Sequence, residues 1–155
     1  MEKISLTFDQ VDLQILRLMQ ENGRINNADI ARELGMAPSA ILERVKKLEQ
    51  KEVILGYTAI IDPAVVGQKL LSYIFIKANE GLSNESTGRA LAEIPEVQEV
   101  HEIAGDDGYL VKVRTADSAA LIDLMRNTFS KIPNIISTRT TIVLDTVKEN
   151  LKVVL

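Results

Sequence analysis

The chain has 155 residues and a formal net charge of −4, with 46% hydrophobic and 26% charged residues, the composition of an ordinary globular protein of two small domains or one medium one. With no cysteine, no tryptophan and a single histidine, the inventory excludes a disulfide scaffold, a zinc finger, a thiolate nucleophile and any multi-histidine metal site, so no metal or cofactor is expected. The opening Met1-Glu2-Lys3-Ile4-Ser5-Leu6 lacks an apolar signal core and no stretch approaches the ~20 apolar residues of a membrane span, so a cytoplasmic chain with no membrane partner is expected.

An acidic chain binds nucleic acid only through a local basic cluster. The first helix is expected from Asp9 to Asn22, with Asp9 capping its free N–H groups and Asp12 favouring its positive end. Leu13, Ile15, Leu16 and Met19 recur at helical spacing, and Asn22-Gly23 offers a left-handed stop. A shorter helix fits Asn27 to Leu34, capped by Asn26 and ended by Gly35, and a third begins at Pro38 and reaches about Gln50.

With Ile41, Val45 and Leu48 of the third helix turned inward, Ser39, Glu43, Lys46, Lys47 and Gln50 point away and Arg44 lies at the edge of the buried stripe. Between Pro38 and Lys51 four basic residues face two acidic ones, a local charge of about +2. Arg44, Lys46 and Lys47 are placed for phosphates, and Ser39, Ala40 and Glu43 for base edges of double-stranded DNA, where a carboxylate accepts from a cytosine amine. A lysine-rich face alone is equally a solvated one; the short helix, glycine turn and longer helix favour a helix-turn-helix.

Val53 to Ile61 is β-branched and broken by Gly56, which predicts two short strands in a hairpin, a wing. Asp62-Pro63 ends it, giving a DNA-binding domain over 1–62, a linker over 63–69 and a second domain over 70–155. Strands are expected at Leu70–Ala78, Val97–Ala104, Tyr109–Thr115 and Ile135–Leu144, and helices at Ser83–Ile94 and Asp117–Ile132. This βαββαβ order, with Ile94-Pro95-Glu96-Val97 repeated as Ile132-Pro133-Asn134-Ile135, fits a ferredoxin-like sandwich, so the fold class is α+β. Ile74, Ile76, Val100, Leu110, Ile142 and Leu144 are read as too apolar to stay wet on a helix-free sheet face, which calls for a homodimer.

Asp9-Gln10-Val11-Asp12-Leu13-Gln14-Ile15-Leu16, Ile30-Ala31-Arg32-Glu33-Leu34-Gly35, Arg44-Val45-Lys46-Lys47-Leu48-Glu49 and Val53-Ile54-Leu55-Gly56-Tyr57-Thr58-Ala59, then Gly105-Asp106-Asp107-Gly108-Tyr109 and Thr138-Arg139-Thr140-Thr141, resemble the Lrp/AsnC feast/famine regulators in order over nearly the whole chain. The resemblance implies a transcription regulator whose effector, an amino acid, binds at Gly105, Asp106, Asp107, Gly108, Tyr109, Thr138 and Thr140, between dimers that assemble into tetramers, octamers or larger rings. A glycine-containing turn has N–H groups for a carboxylate, and Asp106 or Asp107 a charge for an α-ammonium; the same Gly-Asp-Asp-Gly is also a sound hairpin turn with no ligand. Three positions depart from the family: Gly108 where an aspartate is common, Ala37 in place of a serine or threonine cap, and Glu52 in place of glycine.

His101 is read as a partly exposed structural residue. No nucleophile with a histidine partner, GxGxxG or GxxxxGK[ST] occurs, so an enzyme is not expected. Two other readings stay open: a DNA-architectural oligomer without effector, and an amino-acid-binding regulatory subunit whose helix-turn-helix docks protein.

Overall fold

The structure, a computed structural model, describes residues 8–79 and 86–155. It divides into two compact units, Met1–Ile60 with Glu149–Leu155, and Ile61–Lys148. The segment Glu149–Leu155, expected with the second domain, thus groups with the first.

In the first unit, α1 (Gln10–Glu21), α2 (Asn27–Leu34) and α3 (Pro38–Gln50) follow the predicted order. Asp9 caps α1 in a reciprocal box: its carboxylate accepts from the Asp12 N–H at 2.8 Å, and the Asp12 carboxylate accepts from the Asp9 N–H. The expected left-handed stop is absent, because Asn22 is extended with φ −139° and its Oδ1 accepts from the Arg24 N–H at 3.0 Å, making the turn with a side chain. Asn26 caps α2, Gly35 ends it at φ 64°, and Ala37 makes no side-chain cap to α3, as its methyl dictates. Ile15, Ile30, Ala31, Ile41, Val45 and Leu48 form the core.

The predicted hairpin over Val53–Ile61 does not form, and no strand occurs there. The Val53 and Ile54 N–H groups both donate to the Leu48 carbonyl, closing the end of α3, and Gly56 lacks the positive φ that a two-residue hairpin turn requires. The wing position is held instead by an irregular segment whose Leu55 and Ile60 are 90% and 88% exposed. One side-chain bond pins it, from the Tyr57 hydroxyl to Glu49 Oε1 at 2.8 Å. Burial, then this carboxylate, pushes the Tyr57 phenol up to about 12.

α3 closes in a Schellman turn, with Glu52 N–H bonding to the Glu49 carbonyl and Val53 N–H to the Leu48 carbonyl. That turn requires a left-handed residue, and Glu52 supplies it at φ 55°. The departure from glycine therefore carries backbone strain of about 1–2 kcal/mol. Glu52→Gly relieves it while adding about 0.5–1 kcal/mol of unfolded-chain entropy, a net gain of about 0.5–1 kcal/mol. Thermal unfolding of the first unit should rise by a few degrees; an unchanged or lower midpoint would show that the strain is relaxed in solution.

The second unit comprises β1 (Leu70–Ala78), α4 (Ser86–Ala92), β2 (Val97–Glu102), β3 (Tyr109–Thr115), α5 (Ser118–Asn127) with a 3-10 turn at Phe129–Lys131, and β4 (Ile135–Ile142). The four strands form an antiparallel sheet in the order β2-β3-β1-β4, the βαββαβ sandwich expected. The expected helix start at Ser83 lies outside the described residues. α5 stops short of Ile132 because the chain tightens to seat Phe129 in the core.

The strand alternation corrects one expectation. Ile74 and Ile76 are not on the helix-free face; they are fully buried with Leu91 of α4 and Leu121 and Leu124 of α5, and Val100 packs against the same cluster. The register puts Tyr73, Phe75, Leu110, Lys112, Glu99, His101 and Arg139 on the other face, a mixture of rings and ion pairs rather than an apolar sheet. Ile142 and Leu144 are exposed.

Candidate DNA-binding and effector sites

In the first unit, the buried stripe Ile41, Val45 and Leu48 sets the orientation of α3. Ser39, Glu43, Lys46, Lys47 and Gln50 are exposed and Ala40 is half-buried. Lys46 and Lys47 make no ion pair with another described residue, so their charges face water together. Leu42, which sequence reasoning left unassigned, is also exposed beside them; a single apolar residue on a charged face breaks no pattern.

Arg44 behaves differently from its neighbours. Its Nη1 lies 2.7 Å from Asp9 Oδ2 and 2.8 Å from Asp12 Oδ1, fastening α3 to the capped start of α1. The Asp12 backbone N–H, then the Arg44 guanidinium, hold the Asp9 carboxyl below its usual value, and the two carboxylates raise that of Arg44. A carboxyl lowered in the folded state contributes stability above its unfolded pKa, lost as pH falls through the folded one. A groove of about 400 Å³ runs beside this clasp, lined by Phe8, Met36, Ala40, Arg44, Lys47 and Lys51 among others.

In the second unit, Gly105–Gly108 lies in the connection between β2 and β3. Gly105 has φ 148°, which glycine alone adopts without strain. The Gly108 N–H donates to the Ile76 carbonyl and the Gly108 carbonyl accepts from the Ile103 N–H, both at 2.9 Å, which seats the loop on β1. Asp106 is exposed, whereas Asp107 is half-buried and its Oδ2 lies 3.0 Å from Arg139 Nη2. The Arg139 guanidinium also stacks over the Phe75 ring, 4.1 Å from its centre.

Tyr109 is buried beneath α4, where a Cβ on Gly88 would meet its ring at 3.0 Å. Ile76 pairs with Tyr109 on one side and Thr138 on the other, and Ile74 pairs with Thr140. Tyr109, Thr138 and Thr140 thus share the helix side of the sheet, the threonines exposed on edge strand β4. Asp107 is drawn by Arg139 to the opposite face. The seven residues therefore form two groups, and Arg139 and Phe75, which join the loop to β4, were missed because a ring and a guanidinium far apart in sequence carry no local signal. His101 is exposed and sits 3.1 Å from Glu99 Oε2; Lys112 lies 3.2 Å from Glu99 Oε1, and the bonds from His101 and then Lys112 hold the Glu99 carboxyl below its usual value.

Two family models match: a winged helix-turn-helix DNA-binding model over residues 8–54 and the Lrp/AsnC ligand binding domain over residues 72–153. The leucine-responsive regulatory proteins of Haemophilus influenzae and Escherichia coli K12 are 36% and 35% identical, over 96% and 95% of this chain and 90% and 91% of theirs. Among solved structures, a transcriptional regulator of Neisseria meningitidis in complex with L-methionine superposes with a TM-score of 0.87 at 25% identity, covering 95% of this chain and 96% of that one. A feast or famine regulatory protein of M. tuberculosis complexed with L-methionine gives 0.86 at 30% identity, over 94% and 98%. The proteins matched by sequence and by structure are transcription regulators and not enzymes. No helix among the described residues is long and apolar enough to cross a membrane. The first unit's helix-turn-helix and the βαββαβ sheet of the second are thus those of a DNA-binding transcription regulator with an Lrp/AsnC ligand binding domain, and the chain belongs to the Lrp/AsnC family.

Proposed function

We propose that this regulator reads specific double-stranded DNA in the cytoplasm through α3 and that an amino acid, bound by the second unit, changes its assembly and its DNA affinity. The observation that carries the reading is the exposed α3 face: Lys46 and Lys47 stand beside Ser39, Ala40 and Glu43 on a helix anchored by three buried residues. Lys46 and Lys47 contact phosphates, while Ser39, Ala40 and Glu43 meet base edges. Arg44, committed to Asp9 and Asp12, acts by positioning the helix.

The effector binds at Gly105, Asp106, Asp107, Gly108 and Tyr109 with Thr138 and Thr140, its ammonium on Asp106 and its carboxylate on the loop N–H groups. Exposed Leu55, Ile60, Ile61, Val65 and Leu144 support a homodimer that assembles further. Dimerisation sets two recognition helices over a two-fold operator.

One observation favours the architectural reading, in which the second unit only assembles: Asp107 already has a cation, Arg139, and the predicted effector residues are divided between two faces. The test is binding of the purified protein to fragments including its own promoter, at two salt concentrations, with and without a pool of amino acids. Selective binding altered by an amino acid, and lost from that alteration in Asp106→Asn, supports the sensor; binding indifferent to every amino acid establishes the architectural protein.

A further inference from the structure

We propose that the segment Asn150–Leu155 is a strap docked along α1, which ties the DNA-binding unit to the chain a second time and restrains its recognition helix. Arg17, Gln20 and Glu21 recur at three- and four-residue spacing and so share one face of α1. Each meets the strap. The Gln20 amide donates from Nε2 to the Val153 carbonyl at 3.1 Å and accepts the Val153 N–H at Oε1 at 2.8 Å. One side chain thereby satisfies both backbone groups of one residue, as a neighbouring strand does. Arg17 donates to the Leu155 carbonyl oxygen from Nη2 at 2.7 Å and Nε at 3.2 Å, and Lys152 Nζ lies 3.1 Å from Glu21 Oε2. Asn150 Oδ1 accepts the Lys152 N–H at 3.0 Å and turns the chain onto the helix.

Leu155 meets Arg17 and Lys152 meets Glu21, so the strap runs antiparallel to α1. Apart from that ion pair, α1 reads main chain: the side chains of Leu151, Val153 and Val154 remain exposed. The bonds are exposed as well, so each is weak, and docking depends on the strap being tethered close to its site. Such a contact is readily released.

Topology supplies its role. The chain leaves the DNA-binding unit at Ile60 and rejoins it at Glu149, after β4, the strand that carries Thr138 and Thr140. The other end of α1 is clasped to α3 through Asp9, Asp12 and Arg44. Strap, α1, clasp and α3 thus form a continuous series of contacts, and a change at β4 has a route to the recognition helix besides the linker over 63–69. The consequence for DNA rests on the reading of the first unit given above.

Hydrogen exchange followed by mass spectrometry on the full chain tests the docking, and affinity for the own-promoter fragment tests the restraint. Peptides covering 150–155 should exchange at least about tenfold more slowly than the free segment. Gln20→Ala and Val153→Pro, one from each side of the contact, should each abolish that protection. Because neither variant changes a charge, DNA affinity should fall by about three- to tenfold with the salt dependence unaltered. Free-rate exchange in the unaltered chain overturns the strap, and so does full affinity in variants that have lost protection. If the unaltered chain binds no DNA, the reading of the first unit fails and the restraint of a DNA reader falls with it, while exchange alone still decides whether the strap docks.

Discussion

Ile41→Ala should leave the first unit only marginally stable, so that DNA binding is lost on mild warming, while the second unit stays folded. Ile41 is fully buried on α3 and belongs to a core of six buried side chains that holds three short helices. Truncating a buried isoleucine to alanine costs about 2–5 kcal/mol, the lost transfer free energy plus the cavity left behind. A unit of about 60 residues has stability of only about 3–9 kcal/mol, so one such cavity consumes most of it. Ile41 has no surface to offer DNA, which makes the loss of binding a consequence of unfolding. Hydrogen exchange should be at least about thirtyfold faster in α1–α3 and unchanged in the sheet core around Val111 and Val113. Unchanged exchange in α1–α3, or binding that survives warming as well as in the unaltered protein, would mean that the three helices are held by something other than this core.

The double change Lys46→Ala, Lys47→Ala tests α3 as the DNA-facing element without touching its packing, since both side chains are exposed. Each phosphate contact releases about 0.9 counterion, so losing two should flatten the slope of log affinity against log salt by about 1.8 and weaken binding about thirtyfold near 0.15 M salt. The loss should be uniform across DNA sequences, because phosphates carry no base identity. Glu43→Gln should instead alter which sequence is preferred and leave the slope nearly intact. An unchanged slope in the double variant would remove α3 from the DNA interface, whatever happens to Glu43.

Arg44 shows why position on a helix wheel does not settle a role. From the sequence it is a fourth cation on the recognition helix; in the structure it is held between two carboxylates that lie more than thirty positions earlier. The same carboxylates cap α1, and that part was legible, because a cap is a bond between near neighbours whose spacing is set by the helix itself. The partner of Arg44 depended on how α3 crosses α1, which no local pattern encodes.

What the sequence by itself determined were the features whose causes are local. Asp9, Asn26 and Asp117 sit where free helical N–H groups need an acceptor, Gly35 takes φ 64° where α2 must end, and Ile41, Val45 and Leu48 recur at the helical period and are buried. The βαββαβ order follows from the same kind of information, alternation and proline stops. The tertiary structure decided what depends on distant partners. The wing did not pair, because α3 had already taken its first N–H donors. Ile74 and Ile76 face the helices, because strand alternation leaves two faces and only packing chooses between them. Arg139 reached Asp107 across β1, and Gln20 met Val153, because the fold brings to within 3 Å or so what the chain separates by 32 and 133 positions.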